Sequence, residues 1–157
     1  MIQVSIPGRG KTLQLNYMAL DMNGTLTIDG KLPAGVEERI NQLKNKLKIY
    51  LLTADTFGSA AEVSNQLDIE LFKVSGDSGT QDKVDFIRNL PSENTVAIGN
   101  GFNDWMMLEE AALSIVIIGT EGCSTKTLTR ADIAVTSIND ALDILINPLR
   151  LVATLRG

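Results

Sequence analysis

The chain has 157 residues, 44% of them hydrophobic and 21% charged, which is enough to bury one core, so a single domain over 1–157 is expected. A formal charge of −5 with scattered basic residues lacks the footprint of a nucleic-acid binder, and nucleic acid is not expected as a partner. There is no histidine and Cys123 is the only cysteine, which excludes an internal disulfide, a Cys/His dyad and a typical zinc site, and reads Cys123 as an inert small side chain. Any acid–base chemistry must use carboxylates, lysine or water.

In chain order, "MIQVSIPGRGK" has no charged region followed by an apolar one, and no apolar run approaches the length of a membrane span. A soluble, cytoplasmic protein without a membrane partner is expected. "IQVSIP" and "TLQLNYMALDM" flank the Gly-rich turn "GRGK", which predicts a hairpin leading into a strand that ends at Asp21. "GRGKT" is not a phosphate-binding P-loop. The first glycine of that motif is replaced by Ser5, and a strand-like alternation follows where a helix is required. From residue 34, Val36, Ile40, Leu43 and Leu47 fall at helical spacing, and "KIYLLT" follows as a strand. The unit then repeats. A helix through Ala60, Val63 and Leu67 precedes "IELFKV", and one through Val84, Ile87 and Leu90 precedes "TVAIG". A helix around Trp105 and Leu108 precedes "ALSIVIIG", a short one near 124–130 precedes "DIAVT", and a last helix carries Ile138, Leu142 and Leu145 before "NPLRLVATLRG". Alternation at this spacing predicts an α/β three-layer sandwich around a central parallel sheet.

In such folds ligands bind outside the carboxyl ends of the strands. Asp21 ends the first core strand, Thr53 ends "IYLLT", and "GNGFND" follows "TVAI", which places Asn100, Asn103 and Asp104 in a loop. Lys83 is expected at the start of a helix. An acid after a strand is by itself an ordinary cap or turn residue. Four reactive residues around the strand ends of one sheet are harder to attribute to capping.

"DMNGTLT", "LLTADT", Lys83 and "AIGNGFND" resemble, in order, the four motifs of the haloacid dehalogenase superfamily of phosphoryl-transfer enzymes. The similarity is closest to the phosphorylation domain of P-type ATPases, with D-K-T-G-T-L-T, T-G-D and G-D-G-x-N-D. Here "DMNGTLT" keeps five of seven positions and "GNGFND" four of five fixed ones. The chain also resembles a group of stand-alone, soluble P-type ATPase-like proteins. The resemblance implies that Asp21 is a nucleophile forming an aspartyl-phosphate, with the backbone of Met22, Asn23 and Gly24 holding phosphoryl oxygens. It implies that Thr53 and Ala54 bind phosphate and that Lys83 offsets the repulsion between carboxylate and phosphate. Mg²⁺ is the implied cofactor, held by Asp21, the Asn23 carbonyl, Asn100 and Asp104.

Two departures shape the expected activity. Phosphatases of the superfamily carry an acid two residues after the nucleophile, where this chain has Asn23, which cannot exchange a proton. Asn100 stands where the metal loop normally has an aspartate, so weak Mg²⁺ binding is expected. Asp55 is either a replacement proton donor or the cap of a helix starting near Phe57. "IDGKLPAG" and the stretch from Leu67 to Thr80 leave no room for a cap domain. An open site favours a bulky phosphorylated substrate, a covering partner or self-association. Two readings stand: a slow Mg²⁺-dependent phosphohydrolase acting through Asp21, or a degenerate domain that binds a phosphorylated ligand or protein partner without turnover.

Overall fold

The computed structural model describes residues 1–55 and 58–157. Its centre is a six-stranded, wholly parallel sheet. In chain order the strands and helices begin with β1 (Ile2–Ile6), β2 (Lys11–Leu15), β3 (Tyr17–Asp21), α1 (Val36–Lys44), β4 (Lys48–Thr53), α2 (Ser59–Leu67), β5 (Glu70–Lys73) and α3 (Gly79–Asn89). They continue with β6 (Thr95–Gly99), α4 (Trp105–Glu110), β7 (Leu113–Ile117), α5 (Thr125–Leu128), β8 (Ile133–Val135), α6 (Ile138–Ile146) and α7 (Leu149–Leu155). The spatial order is β5-β4-β3-β6-β7-β8. The chain therefore runs outward on one side of β3 and returns to build the other side from β6. The point between β3 and β6 where the direction reverses is where such sheets leave a crevice.

The period of two along each strand sends alternate residues to opposite layers. Met18 and Leu20 of β3 face one layer with Ile40, Leu43, Leu142 and Leu145 from α1 and α6. Ala19 faces the other, with Tyr50, Ala97, Ile87 and Leu108 around α3 and α4. Register follows: Ala19 sits opposite Tyr50 on β4 and Ala97 on β6. Burial on both faces explains why these strands read as continuous apolar runs.

The expected hairpin is present as a separate two-stranded antiparallel sheet of β1 and β2. It does not run straight into β3. The chain breaks at Asn16, whose N–H donates to the Asn94 carbonyl and whose carbonyl accepts from Lys48 N–H, both at 2.8 Å. Alternating Ile2, Val4 and Ile6 bury the hairpin, and the Gly157 N–H donates to the Pro7 carbonyl at 3.0 Å. The "GRGK" turn leads into β2, so it opens no helix. Leu47, expected on the helical stripe, lies beyond the end of α1 and is buried there. "NPLRLVATLRG" holds a further helix, α7, which the sequence reading left unassigned. Among the described residues, no helix is long and apolar enough to cross a membrane.

Candidate active site

The parallel ladder carries Asp21 to the carboxyl end of β3, beside the ends of β4 and β6. Its carboxylate borders an open crevice of about 350 Å³ lined by Asn23, Thr53, Ala54, Asp55, Asn100, Gly101 and Asn103. Beneath it lies a buried charge relay. Lys83 Nζ donates to Asp21 Oδ1 at 2.6 Å and to Asp104 Oδ1 at 2.7 Å, and both Lys83 and Asp104 are fully buried. Lys83 was expected at a helix start but sits a turn into α3, on the inward stripe with Gly79, Val84 and Ile87. A charge on that stripe must be paired, and two carboxylates meet it. Burial pushes the ammonium down, but Asp21 and Asp104 outweigh it and hold Lys83 above its usual range. Burial, and then the Asp21 charge, push Asp104 up to about 6 against the pull of Lys83.

Asp104 was expected among the metal ligands, but it lies below the crevice with both oxygens engaged. Oδ1 accepts from Lys83, and Oδ2 accepts from the N–H groups of Asn100 at 3.0 Å and Gly101 at 2.9 Å. Space for this carboxylate exists because residue 99 is glycine. A Cβ there would stand 2.6 Å from the Asp104 carboxyl.

The loop after β3 is a tight turn in which the Met22 carbonyl accepts from the N–H groups of Thr25 and Thr27. The Met22 side chain is buried in the core. Gly24 N–H, expected to hold phosphate, is already donated to the Thr27 carbonyl at 3.0 Å. Gly24 serves by what it lacks: its φ is +75°, and a Cβ would lie 2.4 Å from Asn100 Nδ2. Asn23 is exposed and borders the crevice. Thr53 is buried at the end of β4, its hydroxyl accepting from Asp55 N–H at 3.2 Å. Asp55 Oδ2 accepts from Ser59 Oγ at 3.0 Å and from Ala60 N–H at 2.9 Å, the work of a cap at the start of α2. The expected start near Phe57, like Thr56 of "LLTADT", lies outside the described residues.

The sequence reading gave no role to Thr25, which the structure puts at the centre. Its Oγ1 lies 3.1 Å from Asp21 Oδ2 and 3.0 Å from Asn100 Oδ1, and it has a single proton for both. The two oxygens share this one donor at the edge of the crevice, and oxygen atoms of this kind are the donors a hard cation takes. Asp21, Asn100 and the Asn23 carbonyl fit such an ion, although the described residues hold no cluster of three or more acidic, Cys or His side chains. The signal for Thr25 was its place four residues after Asp21, one turn-length away.

No family model matches the chain. A soluble P-type ATPase-like phosphatase of Methanocaldococcus jannaschii is 28% identical over 140 residues, covering 87% of this chain. The match spans 51% of that relative, about half its length. Among solved structures, the cobalt-bound deoxy-D-mannose-octulosonate 8-phosphate phosphatase of Haemophilus influenzae superposes with a TM-score of 0.73 at 13% identity, over 92% of this chain and 94% of that one. The 3-deoxy-D-manno-octulosonate 8-phosphate phosphatase of Moraxella catarrhalis, in complex with magnesium, phosphate and the sugar acid, gives 0.70 at 16% identity, over 90% and 94%. These superpositions establish the fold, and the ordered motifs and the archaeal relative narrow it. The chain has a haloacid dehalogenase-like fold and is similar over most of its length to a soluble P-type ATPase-like phosphatase.

Proposed function

We propose that this protein is a Mg²⁺-dependent phosphohydrolase that works through an aspartyl-phosphate on Asp21. The observation that carries the reading is the Asp21 carboxylate at a crevice, with one oxygen bound by a buried lysine that a second buried carboxylate holds in place. A structural ion pair needs no such opening. In the first step an Asp21 oxygen attacks phosphorus, the bond from phosphorus to the leaving oxygen breaks, and that oxygen departs with the bonding pair. Lys83 offsets the charge of two approaching anions, and Thr53 at the crevice wall binds a phosphoryl oxygen. In the second step water attacks phosphorus, the acyl-phosphate bond breaks, and the carboxylate is regenerated with inorganic phosphate. Asn23 supplies no proton to the leaving group and accepts none from water, so the leaving group takes its proton from solvent and the attacking water loses its proton to solvent. Slow turnover and a preference for good leaving groups follow. The bonds of Asp55 Oδ2 to Ser59 and Ala60 favour its reading as a cap over that of a replacement acid.

Asp21, Asn100 and the Asn23 carbonyl would hold the metal ion, which when bound draws charge from the phosphoryl oxygens. The magnesium-bound structural neighbour supports a divalent ion in this fold. Asp104 buttresses Lys83 and the loop, in place of the ligand role first expected. The crevice lies open, and we assign its cover to a bulky substrate or to a second copy of the chain; light scattering at micromolar concentration tests the latter, and a strict monomer excludes it. The neutral Asn23 and Asn100 favour a second reading, a module that binds a phosphorylated ligand without turnover. Intact-mass spectrometry after incubation with Mg²⁺ and beryllofluoride or acetyl phosphate decides between them. An adduct on Asp21, absent in Asp21→Asn, supports the enzyme, and no adduct on the wild type leaves the binder.

A further inference from the structure

Asn100 is 7% exposed, and both ends of its amide are engaged. Oδ1 accepts from the Thr25 hydroxyl at 3.0 Å, and Nδ2 donates to the Gly122 main-chain carbonyl at 3.1 Å. The partners belong to two different loops, one after β3 and one after β7. Three further bonds tie the same segments together. Ser124 N–H donates to the Asn100 carbonyl at 2.8 Å, the Thr127 hydroxyl to the Gly101 carbonyl at 2.6 Å, and Asp29 N–H to Glu121 Oε2 at 3.2 Å. The amide is thus the side-chain strap of a ring of three loops around the back of the nucleophile turn.

The geometry assigns Asn100 a positioning role that acts through Thr25. Gly122 holds the amide so that Oδ1 is fixed as a second acceptor for the one proton of the Thr25 hydroxyl. While Asp21 is a free carboxylate, its charge makes Oδ2 the stronger acceptor. When an Asp21 oxygen carries a phosphoryl group as an acyl phosphate, that advantage falls, and the hydroxyl can turn to Asn100 without becoming a buried donor with no partner. No covalent bond changes; the O–H rotates between two oxygens that are already in place. A carboxylate at position 100 could still accept from Thr25, but it has no hydrogen to donate to Gly122 and would turn an oxygen toward that carbonyl. The amide that looks like a weakened metal ligand is what the strap requires. The consequence for chemistry rests on the reading of Asp21 as nucleophile, whereas the strap itself does not.

Two measurements on the full chain test this separately. Amide hydrogen exchange without added metal should show residues 119–124 exchanging about 3- to 10-fold faster in both Asn100→Asp and Asn100→Ala, as expected for the loss of one ordinary hydrogen bond. Unchanged exchange in both variants would remove the strap. A double-mutant cycle of Asn100→Ala and Thr25→Val is then read twice, by urea unfolding and by the rate of Asp21 labelling with acetyl phosphate. Asn100→Ala should slow labelling when Thr25 is present and have several-fold less effect beside Thr25→Val, and the unfolding midpoints should be non-additive. Additive midpoints would show that Asn100 does not act through Thr25. A wild type that takes no label, with coupled midpoints and faster exchange, would overturn the nucleophile reading and leave the strap standing.

Discussion

The floor and the rim of the crevice follow different rules. On the floor, Lys83, Asp104, Asp21, Thr25 and Asn100 are all buried, and each has a hydrogen-bonded partner within 3.1 Å. On the rim, Asn23 is exposed and Asp55 and Asn103 are half-buried. A buried charge without a partner costs several kcal/mol, so the floor tolerates few arrangements. A solvated rim residue costs almost nothing either way, and there the chain can trade an acid for an amide and change its chemistry. On the proposed reading, attack on phosphorus belongs to the floor and proton traffic to the rim.

The largest test of this contrast is Lys83→Met. It leaves Asp21 and Asp104 facing each other without a cation, and removing one partner of such a buried network costs about 3–5 kcal/mol. Urea unfolding should show that loss and labelling of Asp21 should vanish; a protein of unchanged stability would mean the floor is not held by charge. On the rim, Asn23→Asp should leave stability within about 0.5 kcal/mol, as surface changes do. General acid–base catalysis contributes about 10²–10⁴-fold, so turnover of a phosphomonoester should rise toward that range and the phosphoenzyme level fall. Rapid quench with labelled acetyl phosphate reads both, and an unchanged rate would show that residue 23 is out of line with the leaving group.

Gly24→Ala probes the seam between the two regions. The new Cβ would stand 2.4 Å from Asn100 Nδ2 on a backbone at φ +75°, and a strained residue of this kind costs about 1–3 kcal/mol. Calorimetry should show a lower Tm, and an unchanged Tm would mean that the Asn100 side chain gives way freely. Asn100→Asp adds one charge next to the proposed metal position. A unit charge pair at 4 Å is worth about 1 kcal/mol in water, doubled for a divalent ion, so Mg²⁺ should bind roughly thirtyfold tighter by titration calorimetry, starting from a weak, roughly millimolar site. Equal affinities would place Asn100 away from the ion.

The smallest effect lies far from the crevice. Arg39 Nε and Nη2 grip the Asp143 carboxylate at 2.7 and 3.1 Å, joining α1 to α6. The hydrogen bond from Arg39 leads the causes that hold Asp143 below its ordinary 3.8. A carboxyl with a depressed folded pKa contributes stability that is present above the ordinary value and is lost as pH falls through the folded one. Asp143→Asn should therefore lower stability slightly near pH 7, with the deficit shrinking as pH falls below about 4, checked by urea midpoints across pH.

Periodicity and strand-end placement, read from the sequence, determined the layered parallel fold, because burial on both faces leaves continuous apolar strands and striped helices. "DMNGTLT", Thr53, Lys83 and "GNGFND" were legible as a group for the same reason: in a parallel sheet every strand end points to one side. Direction was not legible. Lys83 turns inward, Asp104 turns under the strand end into space left by Gly99, and Thr25 reaches between Asp21 and Asn100. The family resemblance set Asn100 against an aspartate of the metal loop, and only the packed loops revealed the Gly122 carbonyl that accepts from its amide. Spacing along a chain determines which face and which end a residue occupies. Which partner satisfies it depends on loops that meet from 75 and 22 residues away, and that is decided only when the tertiary structure closes.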